Sequence, residues 1–229
     1  MNKKAFTLAE VLITLGIIGV VAALTMPALI QNTKRVEASS RIKKFYSIMN
    51  QAIIMSEQDN GDVGDWLKEG GIEGDITDDD GNTDFGKNGD VIMKFINQYL
   101  KPYLKIVNMD YSSRTIDDNK GYLGEAYMVF EDGSYVYLHN GNCIDFNFDY
   151  NGPKPPNEYG RDIFKFLLCS NEKCEKQTWN TNCGKFTTTT YPSASRDIAL
   201  RNCKNKAMNC TELLGIDNFE FRKDWPYRL

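Results

Sequence analysis

From Val11 to Ile30 the chain runs twenty residues without a charge, and a helix of that length at about 1.5 Å per residue spans roughly 30 Å, the hydrocarbon thickness of a bilayer. The pattern then changes but keeps its period. Val36, Ile42, Phe45, Met49, Ala52 and Ile53 recur largely at three- and four-residue steps, with Lys and Arg between them, so the helix is expected to continue into water with one apolar stripe. Running from Phe6 to about Ser56 it would measure roughly 75 Å. Asp59, Asn60 and Gly61 supply its stop signal.

Past that stop the apolar stretches are short and separated by Gly, Asn, Asp and Pro. "AYMVFEDGSYVYLHNG" holds two such runs joined at Asp132-Gly133, a hairpin signal, and "RDIFKFLL" reads as a further strand. The expected fold class is α+β: a long N-terminal helix packed on a small antiparallel sheet with long loops. The 229 residues suffice for one domain and an anchoring segment, and although the mean hydropathy is a modestly polar -0.45, the apolar residues are concentrated near the N-terminus.

All six cysteines, Cys143, Cys169, Cys174, Cys183, Cys203 and Cys210, lie in the last part of the chain, as expected of disulfides formed in an oxidising compartment. Their spacings lack the C-x2-C pairs of zinc ribbons, and six cysteines allow 15 pairings, so the spacing does not give the connectivity. Charge argues differently about sidedness. Lys34, Arg35, Arg41, Lys43 and Lys44 follow the apolar run whereas only Lys3 and Lys4 precede it, and a plain positive-inside count would put the head in the cytoplasm. The cysteines favour the extracytoplasmic side.

Glu10 stands at the head of the apolar run, where an ionised carboxylate costs several kcal/mol unless it finds a partner. An ordinary cleaved secretory signal would have its basic region in Lys3 and Lys4, but Glu10, the length of the run and the lack of a clean A-x-A site all speak against it. The residues "AFTLAEVLITLGIIGVVAALTMPALI" resemble the N-terminal segment of the type IV pilin and type II secretion pseudopilin family. That resemblance implies a basic leader, residues 1–5, cut by prepilin peptidase between Ala5 and Phe6, with Phe6 then methylated; the family usually has Gly where this chain has Ala5. It implies an assembly helix over residues 6–30, a soluble continuation over 31–58 and a head over 59–229. Glu10 would neutralise the α-amine of Phe6 on a neighbouring subunit and so set the register between helices. Pro27 removes the hydrogen bond to the carbonyl of Ala23, and with Gly19 upstream the resemblance implies an extensible segment there.

The implied function is that of a prepilin-like structural subunit of a type IV pilus or type II secretion pseudopilus. Its partners would be copies of itself or related pilins, prepilin peptidase, membrane-embedded assembly machinery and the lipid bilayer. It would lie in the bacterial inner membrane as a single-pass protein or in a cell-surface filament. The alternative is an anchored or secreted binding protein, an adhesin or DNA-uptake minor pilin, that uses the same export segment. Residues 1–50 hold seven basic and two acidic side chains, which leaves twenty basic and twenty-nine acidic beyond them, a balance near -9 that disfavours a nucleic-acid surface. The single histidine, His139, has no nucleophile motif beside it, and the head is expected to be non-enzymatic.

No cofactor is implied, with calcium the one candidate. In "DITDDDGNTD" the residues Asp78, Asp80, Asn82 and Asp84 alternate like an EF-hand start, but Thr83 and Gly89 stand where Gly and Glu belong, so a solvated loop is the better reading. In "DYNGPKPPNEYGRD" the residues Asp149, Asn151, Asn157 and Asp162 bracket a turn, and some pseudopilins hold calcium in a head loop. The competing reading is a turn whose Asx side chains satisfy its own backbone.

Overall fold

The computed structural model describes residues 7–68, 76–112, 115–116, 121–122, 124–170, 184–189 and 192–229. One helix dominates it. α1, Leu8–Asn60, has 53 residues and is therefore about 80 Å long. Thr7 starts it with a capping box: its hydroxyl accepts from the Glu10 N–H, and the Glu10 side chain returns to the Thr7 N–H. Gly61 ends it at φ +78°, a backbone that residues with a Cβ rarely adopt, and its N–H bonds the carbonyl of Glu57 at 3.0 Å. The two halves of α1 live in different surroundings. The apolar window of the first half is not buried at all, whereas Ala38, Ile42, Phe45, Met49, Ala52, Ile53 and Ser56 in the second half are buried. Val36 departs from the expected stripe: it is 63% exposed, and Ala38, the first buried residue, lies only two positions on and so on nearly the opposite side of the helix.

Against that face lies an antiparallel sheet of six strands: β1 (Ile106–Tyr111), β4 (Ala126–Phe130), β5 (Tyr135–Asn140), β6 (Ile144–Asp149), β7 (Ile163–Leu168) and β8 (Phe186–Thr187), adjacent in that order. β2 (Thr115–Ile116) and β3 (Gly121–Tyr122) form a separate antiparallel pair. The hairpin over Asp132-Gly133 pairs Met128 with Val136 and Ala126 with Leu138, as the sequence suggested, and "RDIFKFLL" provides β7. Period two then fixes the inner face. Met128, Val136, Leu138, Phe146, Phe148, Phe164 and Phe166 all lie in the core that the sheet shares with the helices and are at most 1% exposed. Phe45 reaches in from the helix, stacks on Phe148 with ring centres 4.2 Å apart, and meets Phe130, Phe166 and Phe186 edge-on.

The chain enters β4 through Gly124, at φ +152°, and a Cβ there would sit 2.1 Å from the carbonyl oxygen of Leu138, so only glycine fits. The head also holds helices that the strand-and-loop expectation left out. α2 (Phe85–Phe95), capped by Asp84 and continued by a π-helical turn over Ile96–Leu100, buries Val91, Ile92, Phe95 and Ile96. α3 (Arg196–Asn205) and α4 (Cys210–Ile216) contact each other, and α4 packs beside β7. Disulfides join Cys143 to Cys169, stapling β6 to the end of β7, and Cys203 to Cys210, stapling α3 to α4. Cys174 and Cys183 lie outside the described residues.

Candidate functional site

The first turn of α1 holds the chemistry that the sequence singled out. Glu10 Oε2 accepts both the N–H and the hydroxyl of Thr7, each at 2.8 Å, so within one chain the carboxylate caps its own helix. Both bonds fall on a single oxygen, Oε2. Ala5 and Phe6 lie outside the described residues. A Cβ added at Gly19 meets nothing within 4 Å, so packing inside one chain does not require glycine there. Pro27 lies inside α1, and the helix runs through it unbroken. The turns nearby are tied in part by hydroxyls: Thr25 donates to the carbonyl of Val21 at 2.9 Å and Thr33 to that of Leu29 at 3.0 Å.

Above the apolar half, the cations that weighed against an extracytoplasmic head are largely engaged with it. Arg41 donates to the carbonyls of Asp132 at 3.2 Å and Tyr150 at 3.1 Å and pairs with Glu37. Lys44 pairs with Asp132 at 2.8 Å and Lys43 with Glu220 at 3.3 Å. Asp132 also takes the hydroxyl and N–H of Ser134. Partial burial works against its ionisation, but Lys44 and Ser134 outweigh that and hold its carboxyl down at about 2.

The structure brings Asp149, Asn151 and Asp162 together in one turn and commits their carboxylates to backbone. Asp162 accepts the N–H groups of Asn157 and Glu158 at 2.7 and 2.6 Å, and Asp149 accepts that of Asn151 at 3.2 Å. Burial nevertheless raises the Asp162 carboxyl above its ordinary value. In the other acidic loop Asp78 accepts from the N–H groups of Asp80 and Asn82, and Asp84 caps α2. Among the described residues no group of three or more His, Cys, Asp or Glu is placed to hold a metal ion.

His139 lies within β5, where its Nδ1 is 2.9 Å from Glu125 Oε1. It belongs to a buried polar network that the sequence did not announce: Glu125 Oε2 takes the N–H of Asn140, the Asn140 amide donates to Asn88, and the Lys68 ammonium donates to the Asn140 amide oxygen and to the carbonyl of Gly141. At the other end of the head Arg196 grips Asp217 and Asp224, with four contacts of 2.7 to 2.9 Å. No periodicity marks such residues; a Lys or Glu followed by loop looks like solvated surface until the fold buries it.

Two family models match the chain. Residues 1–26 match the prokaryotic N-terminal methylation motif, the prepilin-type segment, and residues 28–229 match a family of unknown function (DUF6613). Neither a curated protein nor a solved structure matches it.

Proposed function

The chain belongs to the family of unknown function DUF6613, and because it opens on a prokaryotic N-terminal methylation motif we propose that it is a structural subunit of a type IV pilus or type II secretion pseudopilus, polymerising through the first half of α1. One observation carries this reading: the apolar half of α1 is left wholly unburied by its own head and has Glu10 as its single charge. Such a surface is soluble only in lipid or against other helices. Prepilin peptidase would cut before Phe6, and copies of this chain or related pilins would then pack their apolar halves together. The amine of Phe6 on one subunit would meet Glu10 on the next, since each neutralises a charge that is costly in hydrocarbon.

A head on the extracytoplasmic side is supported by two disulfides and by the use of Arg41, Lys43 and Lys44 in docking α1 to the head, which removes them from the sidedness count. We read the head as non-enzymatic, since His139 is paired with Glu125 inside a structural network. Calcium has no part in this reading, because Asp149 and Asp162 already serve their own turn.

The test separates charge from capping. Glu10→Gln keeps an oxygen for the Thr7 N–H but loses the charge, whereas Glu10→Ala loses both. Both variants should insert and be cleaved normally and both should fail to assemble, measured as sheared filaments or head-to-head crosslinks relative to mature subunit in the membrane. Normal assembly of both variants overturns the polymer reading, and normal assembly of Glu10→Gln alone reduces Glu10 to a helix cap.

A further inference from the structure

An open groove of about 470 Å³ lies where the head meets the apolar half of α1, bounded by Pro27, Gln31 and Arg35 on the helix and by Trp225, Tyr227 and Arg228 on the last segment of the chain. Its level along α1 is set by the sequence. The charge-free run ends at Ile30, so Arg35 lies about 7 Å beyond it, within the headgroup layer of a bilayer whose hydrocarbon ends there. Trp225 and Tyr227, on the head side of the groove, are turned into the head, where the indole N–H donates to the carbonyl of Gly160 and the Tyr227 hydroxyl to that of Cys203, so the groove's polar character comes from its arginines.

The charges in this region are unevenly compensated. Asp224 is held by Arg196, Glu220 by Lys43, Glu37 by Arg41, Glu158 by Arg161, and Asp217 by Arg196 and Arg222. Lys34, Arg35, Lys223 and Arg228 have no acidic partner within 4 Å among the described residues. Arg35 is the more telling, because its Nε is buried with no hydrogen-bond partner while its Nη1 reaches the carbonyl of Arg222 only at 3.4 Å. The groove thus has cations around it without acidic partners, one of them an arginine held to the head only by a 3.4 Å bond, and lipid at its own depth.

We propose that this groove binds the phosphate of an anionic phospholipid in the leaflet on the head side. The terminal Nη groups of Arg35 and Arg228 supply the donors, Lys34 and Lys223 add positive potential, and the acyl chains lie along the Pro27–Ala28 face of α1. A planar guanidinium suits phosphate oxygens, and each nearby cation adds about 1 kcal/mol of attraction to an anionic surface, or about fivefold in affinity. The site holds a free subunit's head against the membrane, and leaving the membrane for a polymer requires giving up that contact. The proposal rests on the reading of Val11–Ile30 as a membrane span.

The full chain in detergent, examined by native mass spectrometry with added phosphatidylglycerol, phosphatidylcholine or inorganic phosphate, tests it. Wild type should retain phosphatidylglycerol well above phosphatidylcholine. Arg228→Gln should lower that preference about fivefold, Arg35→Gln combined with Arg228→Gln should abolish it, and Lys87→Gln, on the head, should leave it alone. Equal retention of the two lipids by wild type, or an unchanged preference in the double variant, overturns the site. Displacement of the lipid by millimolar inorganic phosphate overturns it too, in favour of a free-phosphate site. Flotation of the same protein with vesicles after alkaline washing reports the span separately: protein that floats without lipid preference refutes the groove alone, and protein that does not float refutes the anchor.

Discussion

Asp132 joins shaft and head through one side chain. It occupies the β4–β5 turn, receives Lys44 from α1 at 2.8 Å, and keeps the turn closed through Ser134, while Arg41 lies over its carbonyl. Its folded value of about 2 is below the roughly 3.9 of an unfolded aspartate, so the stability it lends is present above pH ~4 and disappears as pH falls toward ~2. The melting temperatures of wild type and Asp132→Asn should therefore differ most above pH ~4 and converge below ~2; a gap independent of pH would mean that charge is not what Asp132 contributes. The sequence signalled Asp132 as a turn residue, because Asp-Gly between alternating runs has a local cause, and the same holds for Asp78 and for Gly61 at the end of α1. It did not signal Lys68, Glu125 or Asn140, whose partners are 72 and 15 positions away and whose burial depends on how the sheet closes.

Among the elements, α1 shows how far a periodic pattern reaches. Phe45 is 4% exposed and surrounded by four rings, so Phe45→Ala should lower the head's unfolding free energy in urea by about 3–5 kcal/mol. Val36→Ala, on the exposed side of the helix, should change it by less than about 0.5 kcal/mol, and comparable losses for the two would place the contact face elsewhere. Val36 is apolar and near the stripe in sequence, yet at about 100° per residue it lies roughly 200° round the helix from Ala38, on the face turned away from the head. The β4–β5 hairpin and β7 were legible as well, since their alternation is local. α2 was not, although Val91, Ile92, Phe95 and Ile96 are spaced for a helix: Gly86, Asn88 and Gly89 look like loop. Asn88 is tolerated because its amide bonds Ile76 on both main-chain groups, and Gly89 because the ring of Tyr111 would lie 2.8 Å from any Cβ. α3, with Arg, Asp, Asn and Lys along its length, buries little beyond Ala199 and Cys203, so its apolar stripe is too thin to read.

For the whole molecule, a helix about 80 Å long carries a head on its second half only, and the anchoring segment was the most legible part because an uncharged run depends on no tertiary contact. Disulfides were legible as a class from cysteine number, whereas the pairs Cys143–Cys169 and Cys203–Cys210 needed the sheet and the α3–α4 contact to be known. Processing follows from the same N-terminal motif: mass spectrometry of assembled protein should give a methylated Phe6 as first residue, and an intact Met1 there would remove the chain from the prepilin pathway. Pro27 has a mechanical corollary. The Gln31 side-chain amide faces both main-chain groups of Leu229 at 3.1 Å, so the helix just above the proline is fastened to the head while the apolar window below it is unburied among the described residues. Tension applied along the shaft is then borne unequally. The turn over Pro27, already one hydrogen bond short, would yield first and the yielding would travel away from the head; we propose that drawing the nine residues Gly19–Pro27 from helix to extended chain would lengthen the shaft by about 16 Å while the head contacts stay in place.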